Sequence, residues 1–201
     1  MSWVKIIDYE NSTGVLRDIY DRIKGKDNYI DNVLKVHSLR PHTLEAHMKL
    51  YKNVLHHKDN RLPRWFMEAL GIYVSLLNKC SYCVEHHFAG LKRLLHDPKL
   101  AEDIKTALEE DDPGRVFEIK NLALMTYAKV LTLTPNRIDE DIIQEMKNLG
   151  IEDGEILETN QVVSYFCYVN RTALGLGVTN EGETLGLSPA DKNDPENWTH
   201  V

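Results

Sequence analysis

The sequence predicts an all-α protein: one multi-helix domain over residues 1–178, followed by a polar C-terminal tail over residues 179–201. Three observations carry this. Apolar residues recur at intervals of three and four in the longer apolar segments, the period of a helix face. No run of alternating β-branched residues marks a strand. Proline, glycine and capping residues stand at spacings that suit helices of ordinary length. A chain of 201 residues with 42% hydrophobic content fits one domain and buries a sizeable core without disulfide or metal staples.

The elements follow in order. Residues 12–25 form a short helix with Ser12 and Thr13 as caps and Gly25 as its stop. A second helix follows Pro41, in "RPHTLEAHMKLYKNVLHH". Pro63 opens "PRWFMEALGIYVSLLN", and Cys80 or Ser81 starts "SYCVEHHFAGLKRLLHD", which Pro98 stops. These two form a helix pair over residues 63–96. "PKLAEDIKTALEE" is a polar surface helix. "GRVFEIKNLALMTYAKVLTLT" is long and apolar and ends at Pro135. "IDEDIIQEMKNLG" has Asp139 near its start and Gly150 at its C-cap. "DGEILETNQVVSYFCYVNRTALGLG" is the last long helix, after which periodicity dissolves into a turn-rich tail, lying along a surface or partly disordered.

The charge balance, 24 Lys and Arg against 31 Asp and Glu, leaves a net −7 with no basic stripe, so neither nucleic acid nor an anionic membrane is an expected partner. The opening "MSWVKIIDYENSTG" is too brief in its apolar part for a signal peptide, and no stretch nears the ~20 apolar residues of a membrane span. The expected location is the cytoplasm. There, three cysteines make a poor disulfide framework, and a C-x-x-C points to redox or metal chemistry.

One carboxylate is out of place. "FMEALGIYVSLL", residues 66–77, is apolar on every side apart from Glu68 and Ser75, the pattern of a core helix. Desolvating an unpartnered carboxylate costs several kcal/mol. Either Glu68 sits in the first turn, favoured by the helix dipole and touching water, or it faces inward to a histidine of the next helix.

That next helix begins with the densest run of reactive side chains, "NKCSYCVEHH". In a helix starting near Cys80, residues Cys80, Cys83 and His87 form one stripe, with His86 beside it. Helix N–H groups favour a thiolate, His87 accepts a thiol proton, and Glu68 orients the imidazole. Helical i, i+3 positions hold Cβ atoms roughly 5–6 Å apart, against about 3.8 Å in a disulfide. Oxidation is therefore expected to tighten the first turn, giving a mildly strained, readily reduced bridge. Two other readings stand beside this one. The cysteines are small core residues, or Cys80, Cys83 and His87 ligate zinc with His56, His57 or Cys167 as a fourth ligand. The zinc reading lacks the paired ligand spacing common in structural sites.

Glu68, eleven residues, Cys80-Ser-Tyr-Cys83, three residues and His87 together resemble the alkyl hydroperoxidase D signature, within the carboxymuconolactone decarboxylase-like superfamily. "YAKVLTLTPNRIDEDIIQEMKNLG" and "EILETNQVVSYFCYVNRTALGLGV" are similar to its peroxidase-related branch, so the resemblance runs from about Arg40 to Val178. It implies an all-α fold, a homo-oligomer (trimer or hexamer) and thiol-dependent peroxide reduction without a cofactor. Cys80 and Cys83 match the redox pair, His87 the base and Glu68 the carboxylate of the relay. Tyr82 stands where the family often has a histidine, and its hydroxyl is expected to bond a thiol or a peroxide oxygen but to be a poor base. The expected chemistry is attack of a Cys83 thiolate on a hydroperoxide, resolution by Cys80, and reduction of the disulfide by an external thioredoxin-like or dihydrolipoyl protein. The alternatives are a redox adaptor that feeds a separate peroxidase, and a zinc-stabilised or structural oligomer. Outside the motif, Cys167 is expected to be a small buried residue and Trp65 and Tyr73 core or interface. Asn170 and Arg171 are expected to be a buried polar anchor.

Overall fold

A computed structural model of the chain describes residues 2–188 and 198–199, and every α-helical or 3-10 element among them is accounted for below without a strand. The helices are α1 (Gly14–Ile23), α2 (Asn32–Lys35), α3 (Pro41–His56), α4 (Arg64–Leu77) and α5 (Ser81–Leu95). They continue with α6 (Pro98–Glu109), α7 (Ile119–Leu133), α8 (Glu140–Asn148) and α9 (Asp153–Leu176). Short 3-10 turns at Tyr9–Asn11, Lys26–Asn28, Pro113–Arg115 and Pro135–Arg137 join them.

The boundaries follow local chemistry. Proline at the first position of α3 and α6 needs no N–H partner there. Asp97 and Asp139 cap α6 and α8 by accepting from the N–H of Leu100 at 3.0 Å and of Ile142 at 3.1 Å. Glu152 and Glu155 form a capping box at the start of α9. Two expectations shift. The apolar run from Gly114 becomes helical only at Ile119, because Pro113–Arg115 first makes a 3-10 turn. The one-turn α2 was not foreseen, being too short to show a period.

α4 is the centre of the fold and packs against α3, α5, α6, α7 and α9. Its Phe66, Ala69, Leu70, Ile72 and Val74 are fully buried, so a helix apolar all round is the core helix its pattern predicts. α6 buries only the Ala101, Ile104, Ala107 and Leu108 face. Tyr73 is buried and donates to Asp111 at 2.6 Å, and Trp65 stacks on Phe117, so both belong to the core. Arg171 differs from expectation: it is exposed and donates to the Cys167 carbonyl, leaving Asn170 alone as the buried anchor. Cys167 is half-buried rather than buried.

A smaller core joins α1, α2 and the first half of α3 with Trp198, whose ring lies under the Arg22 guanidinium at 3.9 Å. Of the predicted tail, residues 189–197 and 200–201 lie outside the described residues. The described part, 179–188, is held against α5, the first residue of α2 and Tyr29 before it. No helix among the described residues is long and apolar enough to cross a membrane.

Candidate active site

The site forms where α4 and α5 run side by side. Glu68, one turn into α4, points inward to α5, and its Oε2 lies 2.6 Å from Nδ1 of His87. The carboxylate is only 12% exposed. It reaches this place because residue 90 is glycine: a Cβ there would lie 3.2 Å from the Glu68 carboxyl carbon. Of the two readings of Glu68, the inward one holds. A carboxylate can only accept, so Nδ1 of His87 donates and Nε2 is left for other work. Phe166 of α9 meets the imidazole edge-on at 4.5 Å and fixes its plane.

Cys80 is not in the α5 helix. It is the N-cap residue, with φ −94° and ψ 86°, while Cys83 is in the first turn. With Cys80 off the helical path the two sulfurs lie 2.9 Å apart as free thiols, a gap that oxidation would still close to about 2.05 Å. Both are almost wholly buried.

The two thiols are polarised in opposite senses. The Cys80 thiol is held below its ordinary pKa, chiefly by the hydrogen bond it shares with the Cys83 thiol. The Cys83 N–H, short of a full capping bond, and the Asn170 amide act the same way against burial. The Cys83 thiol is pushed well above its ordinary pKa by that shared hydrogen bond, by burial and by the Coulombic effect of Cys80. The opposite shifts favour negative charge on Cys80 and the proton on Cys83. His87 makes no hydrogen bond to either sulfur among the described contacts, so the expected direct proton transfer from Cys83 has a gap to cross.

That gap is a cavity of about 60 Å³ between α3, α5, α9 and the C-terminal segment. Cys83, His87 and Glu68 line it on one side, with Tyr51, His47 and Tyr165 as aromatic walls. Cys80 does not line it. The charge-bearing sulfur thus lies behind the one that meets an incoming molecule.

Tyr82 also borders the cavity, but its hydroxyl is taken. It donates to Glu183 at 3.1 Å and accepts from the N–H of Val33 at 3.2 Å, and burial, then the charges of Glu183 and Asp31, push its pKa well up. The expected contact with a thiol is not made. His86 lies against Glu183 at 3.1 Å, apart from the thiols. The donors considered for zinc are engaged elsewhere: His56 accepts from Arg64 at 2.9 Å, His57 lies 3.7 Å from Asp59, and Cys167 accepts from Asn78. Among the described residues no three His, Cys, Asp or Glu side chains are grouped to hold a metal ion.

Sequence reasoning placed Asn170 only as a buried anchor, without its tie to the site, and missed Glu183. Asn170 is fully buried and links Asn78 to Ser75 by two 3.0 Å hydrogen bonds beneath the thiols. Its signal was visible as a polar residue interrupting an apolar helix, and Ser75 was the matching exception in α4. Glu183 had no signal, because it lies in an aperiodic segment.

No family model matches the chain, and the search among curated proteins returns no match. Solved structures do match. The alkylhydroperoxidase AhpD core of an uncharacterised peroxidase-related protein from Ralstonia eutropha JMP134 superimposes with a TM-score of 0.75 at 19% identity, over 89% of this chain and 91% of that one. An uncharacterised peroxidase-related protein from Silicibacter sp. TM1040 gives 0.70 at 23% identity, over 81% and 83%. A cysteine-to-alanine variant of the debrominase Bmp8, in complex with 2,3,4-tribromopyrrole, gives 0.63 at 15% identity, over 84% of each chain. The chain has the AhpD-like fold.

Proposed function

We propose that this protein is a thiol-dependent peroxidase, a disulfide oxidoreductase that reduces small hydroperoxides with the Cys80–Cys83 dithiol. The observation that carries the reading is the joint placement of a hydrogen-bonded dithiol and a Glu68–His87 pair around one cavity. The two sulfurs share one proton across 2.9 Å, so its transfer to Cys80 leaves the thiolate on Cys83, the sulfur that lines the cavity. That thiolate attacks the terminal oxygen of ROOH. The O–O bond breaks, Cys83 becomes a sulfenic acid, and protonated His87 gives its proton to the departing alkoxide to release ROH. Glu68 stabilises the imidazolium before this step. Cys80 then displaces water from the sulfenic acid to form the disulfide. An external thioredoxin-like or dihydrolipoyl protein reduces it, and the proton returned by Cys80 recharges His87.

The aromatic walls favour a second reading, thiol-dependent removal of halogen from an aromatic ring, which halide release from a brominated pyrrole would reveal. The adaptor reading differs in predicting fast disulfide exchange with a partner and slow peroxide turnover. Assembly as a homo-oligomer, trimer or hexamer, belongs to the proposal and is supported by the exposed Ile119, Leu133 and Leu157. A cytoplasmic location belongs to it as well, since the cycle needs reducing surroundings.

The test is mass spectrometry of the reduced protein before and after hydrogen peroxide, alongside turnover with a dithiol reductant. The expected result is loss of two hydrogens confined to the peptide holding Cys80 and Cys83, trapping of a sulfenic acid on Cys83 in Cys80→Ser, and no turnover in Cys83→Ser. Full turnover by Cys83→Ser, or about one tightly bound zinc per chain, would overturn the reading.

A further inference from the structure

The fourth side of the cavity is built by the segment after α9. Gly186 and Leu187 line it, and a buried carboxylate anchors the segment. The Glu183 side chain is 2% exposed. It accepts hydrogen bonds from the Tyr82 hydroxyl and His86 Nε2, both at 3.1 Å, and from the backbone N–H of Asn32. Further ties flank it. Asn32 Nδ2 donates to the Thr179 carbonyl at 2.9 Å, the N–H of Thr184 donates to the Tyr29 hydroxyl at 3.0 Å, and Arg93 donates to Ser188 at 2.7 Å.

The segment lies flat on α5 at Gly186. Its φ is +76°, and a Cβ there would stand 2.8 Å from backbone and side-chain atoms of Ala89 and 2.9 Å from the N–H nitrogen of Gly90. Only glycine meets both conditions without strain. This close seat places Leu187 at the cavity, next to the glycine that makes room for Glu68.

We propose that residues 179–188 are a latched strap that sets which peroxides, and when a dithiol reductant, reach the Cys80–Cys83 pair. The inference rests on the peroxidase reading for its substrates. On this volume scale a water molecule takes about 10–15 Å³, so a cavity of about 60 Å³ holds about four to six waters. Hydrogen peroxide and short alkyl hydroperoxides fit inside this volume with the strap in place. An aryl-substituted hydroperoxide does not, and neither does a side chain of a reductant protein seeking a sulfur that is 2% exposed or less. Oxidation by a small peroxide therefore proceeds with the strap down. Oxidation by a bulky peroxide, and reduction by a protein dithiol, require the Glu183 latch to release.

Two variants release it by different means. Glu183→Gln keeps the shape and removes the charge that strengthens three hydrogen bonds, and Gly186→Ala wedges the strap away from α5. Loss of charge-assisted hydrogen bonds of this kind raises an open population by about tenfold or more. The experiment has two readouts. The first is the ratio of dithiol oxidation rates by cumene hydroperoxide and by hydrogen peroxide. The second needs no peroxidase activity: the ratio of alkylation rates of the 80–83 peptide by pyrenyl maleimide and by iodoacetamide.

In the wild type both ratios are low. Each variant is expected to raise both by about tenfold or more. Thermal unfolding identifies a variant that fails to fold, and the other then decides. If a folded variant leaves the alkylation ratio at the wild-type value, the strap is not a gate and the inference is overturned. If no peroxide oxidises the dithiol, the proposed function fails, and the alkylation ratio still decides the strap.

Discussion

Replacing Glu68 by glutamine removes one charge and almost no volume from the site. The carboxylate is 12% exposed and holds His87 Nδ1 at 2.6 Å, so its interaction with an imidazolium is little screened by water. A hydrogen bond to a charged group contributes about 1.5–3 kcal/mol. In the proposed cycle this contribution supports the protonated His87 that discharges the alkoxide, so its loss falls on the oxidation step. Converted at 1.36 kcal/mol per factor of ten, it is roughly a ten- to hundredfold loss in kcat/KM for hydrogen peroxide. The amide oxygen still accepts from Nδ1, so the ring orientation and the thermal unfolding midpoint should change little. The assay is stopped-flow oxidation of the reduced protein by hydrogen peroxide, with unfolding followed by circular dichroism. A rate within twofold of wild type, in a variant that folds normally, would refute the relay and return Glu68 to a structural role. So would an equal loss for a variant that has merely lost stability.

Three further predictions use the same geometry. Cys83→Ala removes the largest cause of the lowered Cys80 pKa and leaves burial, which raises it, so ultraviolet thiolate absorbance should titrate at higher pH than in the wild type. In the wild type the thiolate signal should persist below the ordinary thiol value of 9.0 and vanish only as pH falls through the lowered value; coincident curves would contradict the polarised pair. Asn170→Leu should raise the thiol titration as well and destabilise the fold by about 1–3 kcal/mol, because Ser75 and Asn78 lose their buried partner. Urea denaturation measures the second effect, and an unchanged midpoint would deny Asn170 its anchoring role. Gly90→Ala puts a methyl group 3.2 Å from the Glu68 carboxyl carbon, so peroxide oxidation should slow while the dithiol titration stays in place. A titration that moves with the rate would mean that the two features are not separable.

Local physics made most helices legible. A 3.6-residue period, proline at a first turn and aspartate at an N-cap act within a few residues, and α6, α8 and α9 begin where those signals place them. The Glu68–His87 pair was legible too, though it spans two helices. A carboxylate on a helix apolar all round has to find a partner, and the adjoining helix offers His87 one turn beyond Cys83.

Other features depended on where distant segments come to rest. Whether Cys80 joins the helix or caps it is a choice between backbone states that the sequence leaves open, and in the folded chain it caps the helix with its sulfur 2.9 Å from that of Cys83. Tyr82 reads as a candidate for the thiols because it stands beside them in the chain. Its hydroxyl points the other way, to a glutamate 101 residues later. Sequence alone determined the all-α class, most helix boundaries and the candidate quartet of Glu68, Cys80, Cys83 and His87. Tertiary structure decided which sulfur meets the cavity, which polar residues steady it and what covers it. The physical reason is range: helix signals are set by neighbours three and four residues apart, whereas Asn170 and Glu183 act on the site only after α9 and the segment beyond it have packed against α5.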